Sequence, residues 1–290
     1  MGELLALLTA LLYSGAVILY KRAVGVISPF GLNLFKNTVA LICLGLTAIL
    51  ARQTDIGAIS TEHMLLIVAS GVLGIGVSDT LFLMTLKRLG ASRTAVVDCL
   101  YSPSVILFSF LTVGETLEPV AVLGGALIIG SVLLSAQRGF GVPISRRDFW
   151  VGCGLGALAM ATVAYAIVML KPILNSYPLI LMNALRMASG LAMLWVCVPF
   201  HPERRRVYAE LRPNDAWPWM ILGAFLGSYL SIMTWLAGFK YSQAGVVALL
   251  NQTSTVMVVV MAAIFLGEPM TRVKVLAVVM AFLGTVVVFY

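Results

Sequence analysis

Apolar stretches of about twenty residues recur ten times along the chain, separated by short polar connections. They run roughly over 3–20, 29–51, 63–86, 91–113, 117–137, 148–170, 177–199, 216–239, 244–266 and 270–290. A hydrocarbon layer about 30 Å thick needs about 20 helical residues to cross it, and each stretch meets that length. A barrel strand would be about half as long and would alternate strictly. The pattern therefore predicts an all-α integral membrane protein with ten transmembrane helices. The two longest connections, 52–62 and 200–215, are too small to hold a domain with its own core. The first stretch begins without Lys or Arg and is followed by Lys21-Arg22, the reverse of a cleavable leader, so it is expected to remain as the first helix.

The second five stretches read as a copy of the first five. Lys87-Arg88-Leu89-Gly90-Ala91 aligns with Lys240-Tyr241-Ser242-Gln243-Ala244, and without a gap the next helix ends at Gly114-Glu115 and Gly267-Glu268. Asn33-x-x-Lys36 matches Asn183-x-x-Arg186, Lys21 matches Lys171, and after one insertion Gly130-Ser131-Val132 matches Gly284-Thr285-Val286. The expected organisation is a first repeat over 1–137, a cytoplasmic linker over 138–147 and a second repeat over 148–290. Five is odd, so tandem copies lie upside down relative to each other. Inverted repeats place a substrate near the midplane between the halves and move it by alternating access. Parity leaves the direction of transport open.

Composition agrees with lipid as solvent: 61% of residues are hydrophobic and 11% charged, against about 25% charged in a soluble domain. The net charge of +7 needs no nucleic acid. Fourteen basic residues (Lys21, Arg22, Lys87, Arg88, Arg93, Arg138, Arg146, Arg147, Arg204, Arg205, Arg206, Arg212, Arg272, Lys274) fall on one side and three (Arg52, Lys171, Lys240) on the other. The positive-inside rule then puts the odd-numbered connections in the cytoplasm and both termini outside. Cys43, Cys99, Cys153 and Cys197 all lie within apolar stretches and act there as small apolar residues. No metal-ligand spacing occurs, and no cofactor is expected.

The runs Gly71-Val72-Leu73-Gly74-Ile75-Gly76-Val77-Ser78-Asp79-Thr80-Leu81-Phe82 to Lys87-Arg88-Leu89-Gly90-Ala91 and Leu222-Gly223-Ala224-Phe225-Leu226-Gly227-Ser228-Tyr229 to Lys240-Tyr241-Ser242 carry a resemblance across the whole chain. With the two Gly-Glu pairs and Arg186, the sequence resembles the EamA-type ten-helix branch of the drug/metabolite transporter superfamily. That resemblance implies a basket-like fold around a central cavity and transport, most often export, of amino acids, other small metabolites or drugs. Lys36 and Asp79 depart from the family's usual pattern.

Four ionisable residues lie deep in the stretches: Lys36, Asp79, Asp98 and Arg186. A charge at the bilayer centre costs about 2.5 to 3.5 kcal/mol on the mildest scale, so such residues face a cavity or a partner. Counting from the cytoplasmic ends, Lys36, Asp79 and Asp98 share a depth of about 10 to 12 Å. Two readings fit: Asp79 and Asp98 form a proton-coupling site partly neutralised by Lys36, or Lys36 snorkels while one Asp pairs with it for assembly. Arg186 sits about 13 Å deep, and its repeat offers Ile232 and Asn251 where the first has Asp79 and Asp98. Its guanidinium suits a substrate carboxylate, with Asn251, Gln252 and Ser231 as neutral partners; binding backbone carbonyls or reaching the outer interface is the competing role. Tyr13, Tyr101, Tyr165, Tyr229 and Trp235 are aromatic candidates for the cavity wall. Gly71, Gly74, Gly76 and Pro103 are positions where a helix can bend.

The expected protein is a multi-pass carrier of the inner membrane, not an enzyme, for a small zwitterion or carboxylate such as an amino acid, with the lipid bilayer and possible protons as its other partners. An intramembrane aspartyl protease using Asp79 and Asp98, or a channel or lipid scramblase, are the competing functions.

Overall fold

A computed structural model of the chain describes all residues except 114–118, 136–139, 141, 174–175, 242–246, 248–249 and 290. Every regular element among the described residues is helical. The first expected repeat contains α1 (Gly2–Ala23), α2 (Pro29–Leu50), α3 (Thr61–Gly71), α4 (Asp79–Leu89), α5 (Ala91–Asp98), α6 (Tyr101–Val113) and α7 (Pro119–Leu134). The second contains α8 (Arg146–Val168), α9 (Leu179–Cys197), α10 (Arg204–Glu210), α11 (Trp217–Gly223), α12 (Ser231–Tyr241), α13 (Thr253–Leu266) and α14 (Arg272–Phe289). Six described helical runs are long and apolar enough to cross a membrane: Gly2–Ala23, Pro29–Leu50, Thr61–Leu89, Ala91–Thr112, Arg146–Ile173 and Leu179–Phe200. Val122–Leu134 and Thr253–Leu266 are apolar but shorter. The Gly114-Glu115 and Ser242–Ala244 positions of the repeat alignment, and Arg138 in the linker, lie outside the described residues.

Several helix starts follow local chemistry. Ser28, Ser60 and Ser145 stand extended just before α2, α3 and α8, and each hydroxyl accepts from a first-turn backbone N–H, satisfying a donor the helix leaves free. Pro29 follows directly at the first position of α2, where its missing N–H costs nothing. The helices do not all run unbroken. A π-helical segment, Val72–Ser78, joins α3 to α4, and another, Ala224–Leu230, joins α11 to α12. The first covers Gly74 and Gly76, so the bend expected at these glycines takes the form of a widened turn. In the fourth stretch the interruption lies at Cys99–Leu100, ahead of Pro103, which sits in the first turn of α6. The connection after α9 is more ordered than its polarity suggests, since it contains the short helix α10.

Packing is reciprocal between the halves. Helix α1 lies against α11, α12 and α13, while α8 lies against α3, α4 and α6. Likewise α2 packs on the second π segment and α9 on the first. The pairs α2 with α9 and α7 with α14 join corresponding helices directly. One core cluster therefore spans both halves, including Val17, Leu83, Val97, Ala159, Met220, Val258 and Ala281. Small residues allow the close approach: a Cβ on Gly223 would meet the Tyr20 ring at 2.8 Å, and one on Gly190 would meet Gly71 O at 2.7 Å.

Polar ties collect at one end of the bundle, where the basic connections meet. Lys21 Nζ donates to Leu86 O at 3.0 Å, and Arg22 donates to Phe265 O at 2.9 Å while stacking over Trp219. Glu268 accepts from Ala91 N at 3.1 Å, from the Ser92 hydroxyl, and from Lys274 Nζ at 3.1 Å. Glu210 of α10 accepts from Ser28 N at 2.9 Å and from Arg206 Nε at 3.0 Å, which pins the start of α2 to the second half. At the opposite end Ile67, Leu170, Ile173 and Met182 form an apolar cluster, next to which His63 Nδ1 lies 2.7 Å from the Tyr177 hydroxyl.

Candidate functional site

The four charged residues expected deep in the spans lie on α2 (Lys36), α4 (Asp79), α5 (Asp98) and α9 (Arg186). Lys36, 4% exposed on α2, donates to Asp79 Oδ2 at 2.5 Å and to Asn37 Oδ1 at 3.0 Å. Asp79 opens α4 at the end of the first π segment. Lys36 is buried beside Asp79. Asp98 does not join the pair. It ends α5, where its Oδ2 accepts a hydrogen bond from the Tyr13 hydroxyl of α1 at 3.3 Å. Its Oδ1 is enclosed without any donor among the described residues.

Arg186 is 8% exposed on α9. Its Nε donates to Ser70 Oγ at 3.0 Å and its Nη1 to Asn183 Oδ1 at 3.3 Å. Ser70 donates in turn to Ala166 O at 2.6 Å, which fixes the hydroxyl as an acceptor toward the guanidinium. Among the described residues no carboxylate lies within ion-pair distance of Arg186. The guanidinium retains donors for another group.

The neutral candidates divide. Among the described residues Asn251 has both amide atoms enclosed without a partner, whereas Gln252 Nε2 donates to Ser102 Oγ at 3.0 Å. Ser231 is buried at the start of α12. The Tyr229 hydroxyl lies 2.8 Å from Thr47 Oγ1 and its ring packs on Phe225, which ties α2 to the second π segment. Tyr165 is 36% exposed with its ring edge-on to Phe108. Tyr101 and Trp235 are half-buried.

Three further residues belong here that inspection of charge alone passed over. Asn33 Nδ2 donates to Ile75 O at 3.0 Å, Gly76 O at 3.3 Å and Thr80 Oγ1 at 2.9 Å, serving carbonyls of the π segment. Ser70 and Asn183 hold Arg186. The repeat alignment had already marked Asn33 and Asn183 as matching positions beside Lys36 and Arg186. For Ser70 nothing in the sequence distinguishes it from a packing serine.

Among the described residues no group of three or more His, Cys, Asp or Glu is placed to hold a metal ion, and the four cysteines are free. The EamA-like transporter family profile matches residues 1–137 and 150–290. The chain belongs to that family. This EamA-like transporter is therefore a multi-pass membrane protein of the drug/metabolite transporter type, built of two family repeats. A solved structure titled "Crystal structure of protein" is similar, with a TM-score of 0.69 and 18% identity over 99% of this chain and 95% of that one. At that identity the likeness bears on the fold alone. No curated protein matches the sequence. The family is one of transporters, and Asp79 and Asp98, the pair of the protease reading, hold different partners, Lys36 and Tyr13.

Proposed function

We propose that this EamA-like transporter is a secondary carrier of the inner membrane that moves a small zwitterion or carboxylate by alternating access. Ten spans in two inverted repeats over 1–137 and 148–290, joined by a linker over 138–147, enclose its cavity, and both termini are extracytoplasmic. The reciprocal packing of α1 and α8 on each other's half supports this arrangement. The single observation behind the substrate class is Arg186, a buried guanidinium held by two neutral side chains and, among the described residues, without a carboxylate of its own. A bidentate carboxylate supplies the charge and the acceptors that such a group lacks. Asn251, Ser231, Gln252 and the rings of Tyr13, Tyr101, Tyr165, Tyr229 and Trp235 make up the remaining wall. The resemblance to the family favours export.

The test compares the parent with an Arg186→Ala variant that behaves as a monodisperse protein in detergent. A metabolite comparison of cells with and without the carrier first supplies the solute. The variant is expected to lose transport of carboxylate solutes by tenfold or more, the order of one charge-assisted contact. Parental rates on those solutes would refute the assignment.

A second reading couples the movement to a proton, and the Lys36–Asp79 pair favours it. Protonating Asp79 releases Lys36 from its partner and changes the contact between α2 and α4 in the half that must move. Transport is then expected to fall when the proton gradient is collapsed and in an Asp79→Asn variant. Unchanged transport in both removes the coupling. Saturable flux with counter-transport separates a carrier from a channel or scramblase.

A further inference from the structure

Three segments converge on Asp98. Thr255 Oγ1 of α13 lies 3.3 Å from Cys99 Sγ, and Gln252 donates to Ser102, so the junction of α5 and α6 faces the start of α13. Ser14 of α1 donates to Ser254 O at 3.2 Å. These ties hold Tyr13, Asp98 and Asn251 on adjoining stretches, and Asp98 and Asn251 occupy matching positions of the two repeats.

What the three leave unsatisfied has a definite chemistry. Among the described residues, Asp98 Oδ1 is an enclosed carboxyl oxygen with no donor, and Asn251 has neither a donor for Oδ1 nor an acceptor for Nδ2. Enclosed polar atoms without partners are costly and rare. The described cations of the spans are committed elsewhere: Lys36 to Asp79, Arg186 to Ser70 and Asn183, Arg93 to Ser135 O and Val142 O, and Lys274 to Glu268. A lone proton on Asp98 would satisfy one acceptor and leave Asn251 without a donor. A primary ammonium brings the opposite charge and three N–H donors, enough for Asp98 Oδ1, Asn251 Oδ1 and the Tyr13 oxygen together. A quaternary ammonium, lacking N–H, would leave both acceptors unpaired.

We propose that Asp98, with Tyr13 and Asn251, forms a subsite for the primary ammonium group of the transported solute. The inference rests on the carrier reading above. On the carrier reading, this subsite and Arg186 would supply one pole each for the two charges of an amino acid.

The experiment uses the full-length protein in lipid nanodiscs and measures direct binding of six probes at millimolar concentration. These are leucine and phenylalanine, their des-amino acids 4-methylpentanoate and 3-phenylpropanoate, and their decarboxylated amines 3-methylbutylamine and 2-phenylethylamine. The parent is expected to bind at least one amino acid more tightly than its des-amino acid by about ten- to a hundredfold, the range for a charge-assisted contact. Asp98→Asn, close in shape, is expected to abolish that preference and the binding of the amines while leaving the des-amino acids unaffected. Asn251→Leu is expected to weaken the amines and leave the des-amino acids alone. The proposal is overturned if folded Asp98→Asn keeps the parental preference, if it weakens all six probes equally, or if the parent binds neither amino acids nor amines. Failure of the Arg186 reading has a different signature: the des-amino acids then bind Arg186→Ala as tightly as the parent, while the amines still depend on Asp98.

Discussion

At the residue scale, counting along a helix leaves direction around it open. Lys36, Asp79 and Asp98 count to one expected depth in the sequence, and of the two carboxyls Asp79 meets Lys36. Asp98 instead accepts from Tyr13 of α1, a partner that no local spacing announces. Arg186 is equally instructive, because its holder Ser70 is 116 residues away and is an ordinary serine in sequence. The Gly267-Glu268 pair, legible only as a repeat marker, holds an anchor: Glu268 ties Ala91, Ser92 and Lys274 together. Burial pushes the Glu268 carboxyl up, yet the Ser92 hydroxyl, Lys274 and the Ala91 N–H together outweigh it and hold it below the ordinary glutamate value. A lowered carboxylate contributes stability that is present above the unfolded value and lost as pH falls through the folded one. Thermal unfolding in detergent should therefore show an acid-side loss of stability in the parent that is smaller in Glu268→Gln. Glu268→Ala strands Lys274, which is fully buried, and is expected to cost about 3 kcal/mol at neutral pH.

At the scale of elements, hydropathy located the long helices to within a few residues, because lipid demands an apolar run of known length. The same measure is blind to what happens inside a run. Gly74, Gly76 and Pro103 marked places where two stretches can bend, but neither the π form of the first segment, nor the second π segment, nor the break at Cys99–Leu100 is readable from hydropathy. A widened turn displaces backbone carbonyls from their usual donors, and here Asn33 answers for two of them. Asn33→Leu should then destabilise the protein by about 1 kcal/mol and raise hydrogen exchange within 72–78 more than in α2 itself. Equal exchange in both segments would show that the asparagine has no such role. Helix α10 escaped sequence reading for a different reason: its order comes from Glu210 and Val207 docking on the first half, a tertiary cause, and seven residues are too few to form a helix alone.

At the scale of the molecule, the doubled pattern was the most legible feature, since it needs only the order of motifs. The reciprocal packing it produces makes each half incomplete. Residues 1–137 expressed alone are expected to be degraded, while co-expression with 148–290 should return a complex that co-purifies. A stable first half on its own would contradict the exchange of α1 and α8. Reporter fusions at the two ends should read the same, extracytoplasmic side. The exchange also sets a timetable for biogenesis. Thr9 of α1 bonds Thr234, which follows it by 225 residues, so at about 5 to 20 residues per second the partner surface emerges roughly ten to forty-five seconds later. Throughout that interval Thr9, and for slightly longer Ser14, whose partner Ser254 follows by 240 residues, lack their interhelical neighbours, which makes the newborn first helix the natural place for quality control to judge the chain.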